Sequence, residues 1–226
     1  MNRQKGLSGS SLKMLAAGCM FVDHLYYLVL SCFAQTALCE NLCRGIGRLS
    51  FPIFCFLLTE GFSHTSNRIR YAARLCIFAI LSEFPYDLAF SETFSFLHSQ
   101  NIFFTLLIGL LVLWGMQYFS GKYCIQAGVC MLGAAVCVLF ECDYGWQGIL
   151  LIAVLFFFHH DSFSMTIAGI SVCLLWSWEA AFAFFPIHLY NKQRGWMNSP
   201  SAKYAFYFFY PLHLLILVWI QKFLCT

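Results

Sequence analysis

Hydrophobic positions along the chain gather into nine runs, at residues 14–33, 45–63, 71–90, 102–119, 124–140, 146–158, 163–178, 182–190 and 204–224. Several of these runs are shorter than a full bilayer crossing. A bilayer core of about 30 Å takes about 20 helical residues to cross, so nine crossings consume about 180 residues and leave about 46 for connections. The pattern predicts an all-α fold: a polytopic integral membrane helical bundle of eight or nine transmembrane helices. No repeat, low-complexity tract or linker interrupts it, so residues 1–226 read as a single domain. The count turns on 163–190, which is either one long tilted helix or a helix followed by a short or re-entrant segment. Glu179 and Pro186 mark the break in the second case.

Composition removes the soluble alternative. Of the 226 residues 61% are apolar and 10% charged, and mean hydropathy is +0.73, whereas soluble chains carry about a quarter charged residues. A net charge of +3 (13 basic minus 10 acidic residues) is too small to point to nucleic acid. Its distribution matters more. Arg3, Lys5 and Lys13 precede the first run, Arg68, Arg70 and Arg74 follow the second, and Lys122 follows the fourth, whereas Glu40, Glu92, Glu141 and Asp143 fall between them. Positive loops stay inside, so the N-terminus is cytoplasmic, and nine spans place Lys192, Arg194 and Lys203 inside as well. The basic, then apolar opening of 1–33 imitates a signal peptide, but Asp23 and His24 interrupt its centre and no small-residue cleavage site follows. The twelve cysteines lack paired metal-ligand spacing and read as packing, not as a metal site. A disulfide among Cys39, Cys43 and Cys142, on the outer side, is left open.

Ionisable groups inside apolar runs are costly and mark function by default. Lys13 and His24 are eleven residues apart, three turns plus about 20°, and so share a helix face about 16 Å apart along the axis. The last run brings His213 to about 13 Å depth from the same side, so two histidines can meet near the bilayer centre. Glu83 and Asp87 share one face toward the outer side, where Arg48 is their economical partner, and an ion pair that only fixes helix register is an equal alternative. Glu60 and His64 form another i, i+4 pair near the cytoplasmic end.

Specific segments carry a family likeness: Leu12-Lys13 through Val22-Asp23-His24; Gly47-Arg48-Leu49-Ser50-Phe51-Pro52 leading to Glu60-Gly61-Phe62-Ser63-His64; and Ser82-Glu83-Phe84-Pro85-Tyr86-Asp87. Asn101-Ile102-Phe103-Phe104-Thr105, Tyr190-Asn191 with Arg194-Gly195, and Phe209-Tyr210-Pro211-Leu212-His213 follow in order. The lysine and histidine separated by ten residues resemble an element of transmembrane acyltransferases, and the ordered set resembles the TraX family. That resemblance implies a bacterial inner-membrane acetyltransferase using cytosolic acetyl-CoA and no metal, with an acceptor that is a peptide, a conjugative pilin, a small amine or a sugar.

On these grounds His24 is the expected general base, with Asp23 setting its tautomer, and His213, Glu60 and Tyr210 are further contacts at the reacting centre. Lys13, Arg68, Asn191, Arg194 and Lys203 are expected to hold the CoA phosphates. Arg48, Glu83, Asp87 and His64 are polar residues of substrate contact or structure. No serine or cysteine sits in a nucleophile motif, which favours direct transfer over a covalent intermediate. The bilayer is the expected partner, nucleic acid is not, and a homodimer is left open. The competing class is a small proton-coupled transporter or channel, in which midplane His and Asp are equally natural.

Overall fold

A computed structural model describes residues 6–33, 36–91, 99–197 and 199–224; Arg3, Lys5 and Glu92 lie outside them. The chain is an all-α helical membrane bundle. Three of its helical segments, Gly9–Cys32, Ala37–His64 and Ser201–Leu224, are long and apolar enough to cross a bilayer, and four shorter apolar helices accompany them. The chain divides into two compact units, 1–57 with 177–226, and 58–176.

The first unit is built on α1 (Gly9–Leu28), whose N-terminal Ser8 accepts a hydrogen bond from the Ser11 amide at 3.2 Å. α2 (Ala37–Arg48) packs along it. A bare backbone makes this approach close: a Cβ on Gly47 would overlap the side chain of Asp23. α3 (Ser50–His64) continues the run after the junction at Leu49 and contributes its first half to this unit. Lipid supplies no hydrophobic drive between helices, so such small-residue contacts carry much of the packing.

In the second unit the sequence neighbours α4 (Arg68–Phe90), α5 (Ile102–Tyr118), α6 (Tyr123–Leu139), α7 (Gly145–Phe157) and α8 (Ser162–Cys173) pack in succession. Val112, Met116, Cys137, Ile149 and Ala153 form its core. Gly109 admits Ile152, Gly115 admits Val129 and Gly133 admits Val112. Asn101 caps α5, accepting from the Phe103 amide at 3.0 Å, while its amide donates to the Ala79 carbonyl at 2.8 Å and to Glu83. One side chain thereby joins α4 to α5. The loops expected outside pair with each other: the Gln100 amide donates to the Glu141 carbonyl at 3.2 Å and that of Asp143 to Gln100 at 2.9 Å.

The uncertain stretch resolves in the first unit. A 3-10 turn at Glu179–Ala183 leads into α9 (Phe184–His188), with Glu179 at the break and Pro186 inside α9. Glu179 lies against Gly45 of α2, whereas Tyr190 bridges to Leu7 just before α1. About 10 Å of 3-10 rise and about 7 Å of α-helical rise take the chain from one end of this unit toward the other. The short segment therefore returns the chain to the end where α1 begins. α10 (Pro200–Leu224) closes the unit against α1. Cys39, Cys43 and Cys142 are free thiols, whereas Cys32 is disulfide-bonded.

Gly47→Ala forces the added methyl into Asp23. Its expected cost is about 1–3 kcal/mol, checked by thermal unfolding in detergent, where an unchanged midpoint contradicts the close crossing. Asp161, in the loop before α8, accepts from the Phe163 amide at 3.1 Å and from the Ser164 hydroxyl; the serine contact, the larger cause, holds its carboxyl below the usual aspartate range. A depressed folded value means the cap's contribution is full at neutral pH and is lost as pH falls through that value. Amide exchange at Phe163 and Ser164 is expected to speed up below the ordinary aspartate range in the native chain and to be fast at all pH in Asp161→Ala; identical profiles contradict the assignment.

Candidate functional site

α1 and α10 bring His24 and His213 together. His24 Nδ1 lies 2.7 Å from His213 Nε2, and the rings are coplanar within 2° with centroids 5.1 Å apart. The other nitrogen of His213, Nδ1, is 2.8 Å from the Phe209 carbonyl one turn back on α10. A carbonyl only accepts, so His213 carries its proton on Nδ1 and its Nε2 is the acceptor. His24 must then donate from Nδ1, which leaves the basic lone pair on its Nε2. One backbone carbonyl thus assigns both tautomers through two hydrogen bonds.

The surroundings keep these rings in place. Phe209 stacks on His213 with centroids 4.8 Å apart, and Tyr210 stands edge-on to both histidines at 6.2 and 5.7 Å. Pro211, inside α10, offers no amide to the Tyr207 carbonyl, so the helical ladder is interrupted two residues before His213. His213 and Tyr210 are buried, at 4% and 5% exposure.

Asp23 does not serve His24 as expected. Successive helical residues point about 100° apart, and Asp23 turns instead toward α2, where Arg44 lies at 3.8 Å. The hydrogen bond at His24 Nδ1 is made with His213 instead. Arg44 neighbours both Asp23 and His24, while Arg48 neighbours Asp23 and Glu179. Glu83 and Asp87 belong to the second unit, both buried, with Glu83 held by Asn101.

At the other end of α1 stands a basic mouth. Lys13 has Arg194 and Lys203 as charged neighbours and its ammonium lies 5.9 Å over the Phe206 ring. A strap of residues 189–197 holds this mouth in shape. The Leu7 amide donates to the Leu189 carbonyl at 2.8 Å, Gly9 to Gln193 at 2.8 Å, Ser10 to Arg194 at 3.0 Å, and Asn191 to Leu7 at 2.9 Å. The Ser10 hydroxyl donates to the Arg194 carbonyl and accepts from the Met197 amide, both at 2.8 Å. Gly195 has φ +83°, and a Cβ there would strike the hydroxyls of Ser8 and Ser10. The strap consumes the first amides of α1, so an anion at this mouth must be held by side chains. Asn191 is a strap residue: it bonds Leu7 and Gly6 and accepts from Gln193.

Glu60 belongs to the second unit, 2.7 Å from Nε2 of His159, with His64 donating from Nδ1 to the Glu60 carbonyl at 2.9 Å. Arg68 lies 4.7 Å over the Phe62 ring. Sequence reasoning missed His159, which looks like an ordinary loop residue beside His160. It also missed Arg44, although Arg44 and Arg48 are four apart and share a face.

This arrangement defines a polytopic helical membrane protein with a hydrogen-bonded histidine pair on two of its spans and a basic mouth at the start of the first. The chain belongs to the TraX family, whose model, described as TraX protein, matches residues 8–221. It is also 28% identical over 251 aligned positions to the "Probable fimbrial assembly protein FimC, serogroup H1" of Dichelobacter nodosus, an alignment covering 99% of this chain and 100% of that protein. No solved structure matches.

Gly195→Ala is expected to loosen the strap, since an L residue at positive φ costs roughly 1–2 kcal/mol even without the hydroxyl clash. Faster hydrogen exchange at the Gly9 and Ser10 amides checks this; unchanged protection contradicts it.

Proposed function

We propose that this protein is an acetyltransferase of a bacterial inner membrane that moves an acetyl group from cytosolic acetyl-CoA to an amino group. The observation that carries the reading is the His24–His213 hydrogen bond, which leaves His24 Nε2 as a base. Lys13, Arg194 and Lys203 offer three cations for CoA phosphates at the cytoplasmic mouth. The about 16 Å from Lys13 to His24 along one face of α1 suits an extended pantetheine arm.

His24 Nε2 takes a proton from the acceptor amine as its nitrogen bonds to the acetyl carbon. The positive charge spreads across the His24–His213 bond, because either ring can hold the shared proton. Tyr210 is the candidate hydroxyl donor to the tetrahedral oxyanion. The C–S bond then breaks, the CoA thiolate leaves, and His24 returns the proton to the sulfur. No covalent acetyl-enzyme is required. Arg68 and Glu60, both of the second unit, receive no role in this sequence of steps. The name of the Dichelobacter relative, a probable fimbrial assembly protein, supports a pilus subunit as the acceptor.

Purified protein with acetyl-CoA and an amine-bearing pilin peptide tests the reading by release of CoA. His24→Ala is expected to lower kcat by about 10²–10⁴. His213→Gln, which keeps an acceptor for the His24 Nδ1 proton, is expected to retain more activity than His213→Ala. Lys13→Ala is expected to raise the acetyl-CoA KM with kcat little changed. Absence of CoA release with amine acceptors, together with a proton flux into liposomes that requires His24, contradicts the proposal in favour of a transporter.

A further inference from the structure

The far end of α6 closes in a turn that brings two thiols together. The Cys142 amide donates to the Cys137 carbonyl at 2.8 Å and the Glu141 amide to the Val138 carbonyl at 3.2 Å, the pair of bonds that ends a helix by folding the chain back over its last turn. In such a cap the third residue from the helix end often meets the residue that follows the reversal through an apolar contact. Here those residues are Cys137 and Cys142. They belong to one buried core, at 0% and 6% exposure, and their side chains hydrogen-bond to each other. Both are free thiols.

The turn is one that a covalent link would help. Glycine is the usual residue where such a cap reverses, but Glu141 takes φ +49° there and Tyr144 follows at φ +61°, both in the left-handed region that L residues avoid. On either side of Cys142 the backbone is tied to the start of α5: the Gln100 amide donates to the Glu141 carbonyl, the Asp143 amide to the Gln100 carbonyl, and the Thr105 hydroxyl to the Asp143 carbonyl. Gly145, the first residue of α7, donates to the Cys142 carbonyl at 2.8 Å. A bond from Cys142 to Cys137 therefore secures α5, α6 and α7 at one place. The loop charges put this turn on the outer side, where thiols of a bacterial membrane protein meet an oxidising compartment. Cys32, which the same charges put outside at the end of the first run, is disulfide-bonded.

We propose that Cys137 and Cys142 are a redox pair, oxidised to a disulfide by exchange with a disulfide-bearing oxidant of the outer compartment, and that this bond locks the turn from α6 to α7. The Cys142 thiolate attacks one sulfur of the oxidant, which breaks the oxidant's S–S bond, forms a mixed disulfide and releases one oxidant thiolate. The Cys137 thiolate then attacks Cys142 Sγ, which forms the internal bond and releases the second oxidant thiolate. The protons given up by Cys137 and Cys142 end on those two sulfurs, and the two electrons lost by the pair are gained by the oxidant. Exchange takes place while the turn is open, because the closed turn buries both residues. The closed turn already holds the two thiols against each other, so the bond requires no movement of the helices. The site is independent of the acetyl-transfer reading.

Cells expressing the full-length chain, quenched in acid, denatured and alkylated without reductant, then digested for mass spectrometry, test the assignment. The native chain is expected to give a loop peptide in which Cys137 and Cys142 are unmodified and the mass is lower by two hydrogens, and reduction before alkylation is expected to convert it to the doubly alkylated form. Cys142→Ser is expected to leave Cys137 alkylated, and Cys137→Ser to leave Cys142 alkylated. In the purified native chain the disulfide is expected to slow hydrogen exchange at the Cys142 amide by about 10- to 100-fold relative to the reduced form, the size of the constraint on a short loop. Neither serine variant is expected to respond to reductant. A native loop peptide alkylated on both cysteines without reduction overturns the proposal. So does a Cys137 that escapes alkylation in Cys142→Ser, since it then has a different partner.

Discussion

Everything in the first unit depends on one requirement of an apolar medium: a polar group taken out of water must find its partner inside the protein. His24 meets that requirement through His213, and His213 through the carbonyl of Phe209. The two hydrogen bonds do more than satisfy three groups. They assign a proton to each ring and hold two distant parts of the chain, α1 and α10, in register. A histidine without a backbone acceptor would have two tautomers to choose from; here the Phe209 carbonyl makes the choice.

The same requirement shapes the mouth. Three of the strap's hydrogen bonds and the Ser8 cap take up amides at the start of α1, and the loop that supplies them also carries Arg194. Holding the helix end and presenting a cation are therefore one structural act. The short segment 179–190 makes this possible, because a 3-10 turn rises further per residue than an α-helix. It brings the chain back to α1 within a dozen residues. Gly195 is required where the strap passes the two serines, and Gly47 where α2 passes Asp23.

Much of this was legible in the chain. Apolar runs and the scarcity of charge revealed an all-α membrane bundle, and the eleven-residue spacing set Lys13 and His24 on one face. Similar insertion depths brought His213 to His24. What the chain could not reveal was pairing decided by rotamer and neighbouring helices. Asp23 sits beside His24 in sequence, yet adjacent residues on a helix diverge, and α2 claims Asp23 through Arg44. Arg48 has Asp23 and Glu179 as charged neighbours, because Gly45 and Gly47 let α2 settle beside the break at Glu179. Glu60 found a loop histidine, His159, whose position no spacing encodes.

The central claim is that His213 leaves His24 with a basic Nε2. Nitrogen-15 NMR of histidine-labelled protein in lipid, with His24→Gln and His213→Gln spectra to assign the rings, reads this directly. The account predicts a protonated Nδ1 on both neutral rings and a coupling across the hydrogen bond between His24 Nδ1 and His213 Nε2. A neutral His24 protonated on Nε2, with no coupling to His213, would contradict it.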